Sequence, residues 1–378
     1  MNKEVIIVGG GYAGLFAARR LGRRPGLRVT LIDARECQQS LPLLPDLVGR
    51  DLPPAKLQYP LAQAAARWGF NLVQDEVASL DVASLTVHGK AADYQADAIL
   101  LASGCAPVSC PFQAGGRLHT LSDTASASAL RKAFLEEDRR NWVVAGGGYT
   151  GVEAATHLWR CAQTEGIDRR IFVVERGGRL CGSMGAPFSE YVERNVTWLG
   201  IEVMRKTRIV DLNEEHVLLD GDRRVKNASL VWSVGTEGQA FARSLDEPQT
   251  PSGRLNVNAF LQLERHENLF AAGDAAAFPD AEGLPLRQSV QAAVMQGTHA
   301  ARNIVARLDN RPLAPYRHRD LGYVVPMANG RGCGIALGVP VYGRLPLLLH
   351  AVMSVYRSFG KGRSLRLLWA LLHGLPKQ

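Results

Sequence analysis

Two copies of one glycine pattern, 137 residues apart, constrain this 378-residue chain more than any other feature. The first copy follows a short apolar run, Lys3 to Val8. It reads Gly9-Gly10-Gly11-Tyr12-Ala13-Gly14. An alanine-rich helical pattern, Leu15 to Leu21, comes next. A second apolar run, Arg28-Val29-Thr30-Leu31-Ile32, then ends at Asp33-Ala34. Strand, glycine turn, helix, strand and acid in that order describe a βαβ unit that binds a dinucleotide. Gly9 permits the tight turn, Gly11 lets a pyrophosphate reach the backbone, and Gly14 lets the helix lie on the sheet. The helix N-terminus then faces the phosphates with its positive end. Asp33 stands 19 residues past Gly14, where a carboxylate accepts ribose hydroxyls.

The second copy is Gly146-Gly147-Gly148-Tyr149-Thr150-Gly151-Val152-Glu153, after the run Trp142 to Ala145. A helical stretch, Ala154 to Cys161, leads to the strand Arg170 to Val174 and then Glu175. Two fingerprints mean two dinucleotide sites, the second formed by Gly146, Gly148, Tyr149, Thr150 and Gly151, with Gly235 downstream. A carboxylate at Glu175 favours a free 2′-hydroxyl over a 2′-phosphate, so NADH is expected over NADPH. Arg176, next in sequence, is the cation that would soften that preference. Two more buried strands end in small-residue turns: Ala98 to Ser103-Gly104, and Asn268 to Gly273-Asp274.

Composition narrows the alternatives. With 46% hydrophobic and 21% charged residues the chain is not disordered. No apolar run reaches the roughly 18 residues of a membrane span, and the first run has no cleavage site after it, so neither a transmembrane helix nor a signal peptide is expected. The charge is uneven. From 311 to 378 ten basic residues face one acid, Asp320, so this stretch carries +9 of a total of +8 and the first 310 residues sum to −1. Such asymmetry points to an anionic partner.

The four ordered motifs, over roughly residues 3 to 310, resemble the two-dinucleotide-binding flavoproteins of the glutathione-reductase type. The resemblance implies an α/β fold with two Rossmann-like domains. An FAD-binding domain would occupy 1–115 and 248–315, an NADH-binding domain 116–247, and a C-terminal region 316–378. It implies FAD held by Gly9, Gly11, Tyr12, Ala13, Gly14, Asp33, Ala34, Ser103 and Gly104. The Gly273-Asp274 pair would meet the ribityl–phosphate region. Disulfide reductases of that type carry a Cys-x4-Cys soon after the first fingerprint. Here that region holds only Cys37, while Cys105 and Cys110 come after the Ser103-Gly104 turn and read as loop residues. The nine histidines show no metal-ligand spacing, and no metal site is expected.

What remains resembles the type II NADH:quinone oxidoreductases, in which electrons pass from NADH through FAD to a membrane quinone without proton pumping. Leu41-Pro42-Leu43-Leu44 followed by Val48-Gly49-Arg50 is similar to the segment beside the flavin ring, which adds Pro42 and Leu43 to the FAD residues. Gly151-Val152-Glu153 matches the family's Gly-Val-Glu, so Glu153 is a catalytic candidate near the nicotinamide. Gln291 is the other, expected at the flavin's pyrimidine end and in the quinone pocket. At Met295 the chain departs from the family's second glutamine, which leaves the quinone contact open.

The tail reads as two short helices, Pro346 to Phe359 and Leu365 to His373. In the first, His350, Ser354, Arg357 and Ser358 form a narrow polar stripe. The apolar residues with flanking cations (Leu347, Leu348, Tyr356, Arg357, Lys361 and Trp369) suit a helix lying in an anionic membrane interface. The alternative is packing in a homodimer. Nucleic acid is not expected, because the aromatics sit among leucines rather than among the basic residues. Together these features place a respiratory electron-transfer enzyme peripherally on the cytoplasmic face of the cell membrane. Two other readings stay open. One is a sulfide:quinone oxidoreductase using a cysteine such as Cys333. The other is a flavin-containing binding protein that responds to redox state.

Overall fold

The computed structural model describes residues 2–112 and 115–356 and divides the chain into two compact units. The first gathers Met1–Gln38, Tyr59–Ala106 and Thr236–Asp320. The second gathers Gln39–Gln58, Pro107–Gly235 and the chain from Leu321 onward.

A five-stranded parallel sheet forms the centre of the first unit. Its order is Leu269–Ala271, Ala98–Leu101, Lys3–Val8, Leu27–Asp33, Asn71–Gln74. The apolar runs are continuous because a parallel strand covered on both faces has no polar side. Val5, Ile6 and Ile7 are accordingly buried, as are Ile99 and Leu100 beside them. The helices Tyr12–Leu21 and Val290–Leu308 lie against each other. They approach closely because position 297 is glycine: an added Cβ would collide with the Ala13 carbonyl. Ser289 starts the longer helix, its Oγ accepting from the Ala292 N–H at 3.1 Å. A three-stranded antiparallel sheet, Val77–Asp81, Thr86–Gly89 and Asp93–Gln95, completes the unit.

The second unit repeats the plan. Its parallel sheet runs Leu118–His119, Ala228–Trp232, Asn141–Ala145, Arg170–Glu175, Glu202–Arg205. Trp142 and Phe134 are wholly buried in its core. The helix Thr124–Glu136 that carries Phe134 opens with a reciprocal cap between Asp123 and Ser126. The antiparallel sheet Gly322–Met327, Arg331–Ala336, Val339–Gly343 follows, and the helix Leu345–Tyr356 packs on it.

That last helix differs from the expectation in its orientation. The narrow polar stripe turns inward at His350, which reaches toward Asp46. Leu347, read as membrane-facing, is 6% exposed and lies over Gly332. The open face is Leu345, Leu348, Val352 and Tyr356, the last 81% exposed. His350 is drawn to the buried negative charge of Asp46, its Nε2 4.0 Å from Oδ2. Arg357, Lys361, Trp369 and the second tail helix lie outside the described residues. No helix among the described residues is long and apolar enough to cross a membrane.

Candidate functional site

The first fingerprint is built as the spacing requires. Gly9 has φ +105°, and a Cβ there would stand 2.5 Å from the Ala102 carbonyl oxygen. Gly14 lies so close to the Gly9 carbonyl that any side chain would overlap it. Gly11 is the opposite case: a Cβ would meet nothing within 4 Å. It would fill the hollow in front of the helix Tyr12–Leu21, whose first turn has no side-chain cap. Open space at uncapped N–H groups is a cradle for phosphate. Asp33 is buried at the end of its strand. Its Oδ2 accepts from the Gly10 N–H at 2.6 Å and its Oδ1 from the Arg35 N–H at 2.8 Å, which fixes the carboxylate beside the glycine turn, while Ala34 stands exposed after it.

Around this cradle the unit brings together Ser103, Gly104, Gly273 and Asp274. Ser103 Oγ is buried without a hydrogen-bond partner, the state of a donor kept for a ligand. Gly273 has φ +71° and donates its N–H to Gln296 Oε1 at 2.7 Å. Burial raises the Asp274 carboxyl above the usual carboxylate range, against the opposing pull of Arg254. Arg254, not singled out from sequence, spreads its guanidinium over the carbonyls of Asp274, Ala276 and Leu286 at 3.0, 2.6 and 3.0 Å and so holds the turn. Gln291 is buried and donates to the Arg319 carbonyl at 2.5 Å; Met295 is half-buried on the same helix. These donors, the acid and the open cradle fit an FAD.

The second fingerprint has matching geometry. Gly146 has φ +95°, a Cβ on it would stand 2.5 Å from the Ser233 carbonyl oxygen, and Gly151 abuts the Gly146 carbonyl. Gly148 again faces open space before an uncapped helix, Tyr149–Glu165. Thr150 is exposed at the start of that helix, and Tyr149 packs edge-on against Tyr323 at 6.0 Å. Glu175 Oε2 accepts from the Gly147 N–H at 2.7 Å, and Oε1 accepts from Gly177. A pocket of about 580 Å³ opens here, lined by Gly147, Gly148, Glu175, Gly177, Gly178, Arg179, Cys181, Gly182, Ser183 and Lys206. Arg176 and Gly235 are not part of its lining. Arg179 and Lys206 are, although sequence spacing did not indicate them.

Glu153 sits one turn into the same helix. Its acid is raised well above the ordinary value, first by burial and then by the negative charge of Asp46. Asp46 is the centre of a cluster that the sequence did not reveal. Arg50 donates to its Oδ1 at 2.6 Å; His157 Nε2 stands 3.9 Å from Oδ1 and His350 Nε2 stands 4.0 Å from Oδ2. Burial alone would raise Asp46, but these neighbours together hold it below the usual carboxylate range. Burial pushes His157 down to about 3, and Arg160 down to about 10. His157 Nδ1 has no partner and lies against Gly49, where a Cβ would strike it. Gly49 thus allows the helix Leu44–Arg50 to cross the helix Tyr149–Glu165. Pro42 and Leu43 belong to this second unit, Leu43 wholly buried in its core.

The cysteines are spoken for. All six are free thiols. Burial pushes Cys333 up to about 12 in the middle strand of its sheet, and it is fully buried. A thiol so placed is not the reactive group a sulfide oxidoreductase requires. Cys105 donates to the Asp274 carbonyl at 3.2 Å, receives the Gln288 amide at 3.1 Å, and is pushed up to about 11 by burial.

Residues 3–297 match the pyridine nucleotide-disulphide oxidoreductase family. Demethylphylloquinone reductase NdbB of Synechocystis sp. is 28% identical over 375 residues, covering 94% of this chain and 92% of that protein. The type II NADH:quinone oxidoreductase of Staphylococcus aureus is 26% identical over 392 residues, covering 96% of each. Among solved structures, NDH2 from Plasmodium falciparum in complex with NADH superposes with a TM-score of 0.86 at 15% identity, over 100% of this chain and 99% of that one.

Proposed function

The chain belongs to the pyridine nucleotide-disulphide oxidoreductase family, and from that premise we propose that it is a type II NADH:quinone oxidoreductase, an FAD-dependent enzyme passing electrons from NADH to a membrane quinone. The observation that carries the reading is the pair of open glycine cradles, one in each unit. Similarity to relatives named for quinone reduction supports it along nearly the whole chain.

FAD, when bound, supplies the two-electron chemistry, taking a hydride equivalent from NADH and giving two electrons to the quinone. The protein holds and orients. Gly9, Gly11 and Gly14 admit the pyrophosphate, Asp33 takes the ribose hydroxyls, and Ser103 and Asp274 complete the FAD contacts. Gly146, Gly148 and Gly151 admit the NADH pyrophosphate, and Glu175 takes its ribose. Quinone reduction consumes two protons. Glu153, whose acid burial raises well above the ordinary carboxylate range, is the group to hold one where an acid is needed. The open stripe Leu345, Leu348, Val352 and Tyr356 supports attachment to a membrane surface, with the basic tail adding attraction to anionic lipid on the cytoplasmic face.

The deciding experiment is an anaerobic NADH titration of the flavin-loaded protein, followed by mixing with menaquinone and ubiquinone analogues. Flavin bleaching by NADH and rapid reoxidation by a quinone are expected. Failure to oxidise NADH with any short-chain quinone overturns the reading. Removal of residues 357–378 is expected to weaken sedimentation with anionic vesicles while flavin reduction survives. Undiminished sedimentation removes the tail from the attachment.

A further inference from the structure

We propose that the pocket beside Glu175 contains a subsite for a 2′-phosphate, made by Lys206 with Arg179, through which this chain takes NADPH as well as NADH. The inference rests on the nucleotide reading of the second unit and changes the preference expected from Glu175 alone.

The backbone places Lys206 there. Its N–H donates to the Gly177 carbonyl at 2.9 Å, and the Thr207 N–H donates to the Glu175 carbonyl at 3.0 Å. The end of the strand Glu202–Arg205 is thereby tied alongside the turn that follows Glu175. Lys206 holds φ +49° in this tie, and its side chain passes over Gly178. A Cβ on Gly178 would meet only Lys206 Cε, at 3.9 Å. Glycine at 177 and 178 therefore leaves the space between the carboxylate and the ammonium clear.

The charges in that space are unbalanced. Other cations of this unit have acidic partners: Arg170 with Glu202, Arg205 with Glu193, Arg223 with Asp220, Arg224 with Asp222. Arg179 and Lys206 make no ion pair among the described residues, and both line the pocket. They do not neutralise Glu175, whose oxygens instead accept from the N–H groups of Gly147 and Gly177. A free 2′-hydroxyl needs an acceptor and has no use for two cations. A 2′-phosphate, with nearly two negative charges, needs cations and meets a carboxylate already engaged by backbone donors. The pocket thus offers an acceptor for NADH and two donors for NADPH. The hydride and electron count is the same for either nucleotide.

Two measurements test this. Calorimetry compares adenosine 2′,5′-bisphosphate with AMP on the flavin-loaded protein. The bisphosphate is expected to bind about tenfold tighter, the size of one to two charge-assisted hydrogen bonds, with a preference that shrinks as salt rises. Stopped-flow flavin reduction compares NADPH with NADH. Lys206→Gln, and separately Arg179→Gln, is expected to lower the NADPH-to-NADH ratio of kcat/KM about tenfold, and Glu175→Gln to raise it. Bisphosphate binding no tighter than AMP in the wild type overturns the subsite, as does a ratio unmoved by Lys206→Gln. Reduction by NADH alone defeats only this inference, whereas absence of reduction by either nucleotide together with no AMP binding defeats the nucleotide reading itself.

Discussion

The two fingerprints share their turn geometry and differ in what covers them. In the first unit a second helix crosses at the first turn, where Gly297 lies on Ala13 and Gln296 holds the Gly273 N–H. In the second the crossing comes two turns later, where Gly49 lies on His157. The first turn there meets Tyr323 of a strand instead of a helix, and a pocket of about 580 Å³ opens beside the glycine turn. A cradle backed at its first turn by a second helix suits a group that stays bound; one backed by a helix only two turns later suits a ligand that enters and leaves at each turnover. The two crossings are made by different glycines, Gly297 and Gly49, each on the crossing helix.

The comparison breaks most decisively at its glycines. Gly14→Ala forces a methyl into the Gly9 carbonyl, and Gly151→Ala does the same at Gly146. The first is expected to yield protein without flavin absorbance. The second is expected to keep the flavin but lose its reduction by NADH by about two orders of magnitude, since a misplacement near 1 Å costs that much. If both variants lose flavin, the division of labour is wrong.

Glu153→Gln sharpens the second unit's role in proton supply. Quinone reduction is expected to slow about a hundredfold, in the range of a lost general acid, with flavin reduction by NADH less affected. Equal slowing of both half-reactions would make Glu153 a structural residue only.

The buried cluster gives a pH signature absent from the first fingerprint. His157 is held at about 3, well below its free value, so the folded protein keeps it neutral. Its contribution to stability is complete above about pH 6.5 and declines as pH falls from there toward 3, at about 1.4 kcal/mol per pH unit. Urea unfolding of the second unit at pH 7 and pH 5 is expected to show the decline, and His157→Gln to flatten it. The groups facing His157 (Asp46, Arg50, Arg160 and His350) shape the same curve, so a slope unaltered by His157→Gln would assign it to them.

The smallest effect is expected at the surface. Leu348→Ser with Val352→Ser is expected to reduce binding to anionic vesicles a few-fold, at about 25 cal/mol per Å² of apolar surface, with NADH oxidation by a soluble quinone analogue unchanged. Unaltered vesicle binding would assign attachment to the residues after Tyr356.

Much of the fold was legible from local pattern. The glycine turns, the buried parallel strands and the acids ending the second strands were all readable because each is marked by a local pattern of glycine spacing, apolar runs and a following acid. Asp33 and Glu175 took up the expected positions beside their turns. What escaped was made by residues far apart in the chain. Asp46, His157 and His350 lie on three helices from distant stretches, and nothing in their spacing marks them as neighbours. Nothing in their spacing singled out Lys206 and Arg179 either; the Lys206–Gly177 and Thr207–Glu175 hydrogen bonds bring the two turns together.

The sequence by itself determined that two βαβ units with glycine fingerprints exist, and that a basic tail follows an almost neutral body. Those properties depend on glycine sterics, strand hydrophobicity and charge count, all of which are local. Only the tertiary structure decided that the segment 39–58 joins the second unit, that His350 turns inward and leaves Leu345, Leu348, Val352 and Tyr356 outward, and that two cations without an ion pair among the described residues share a pocket with Glu175. These depend on which partners close-packed helices and strands present to one another, and a linear pattern carries no record of a contact across two hundred residues.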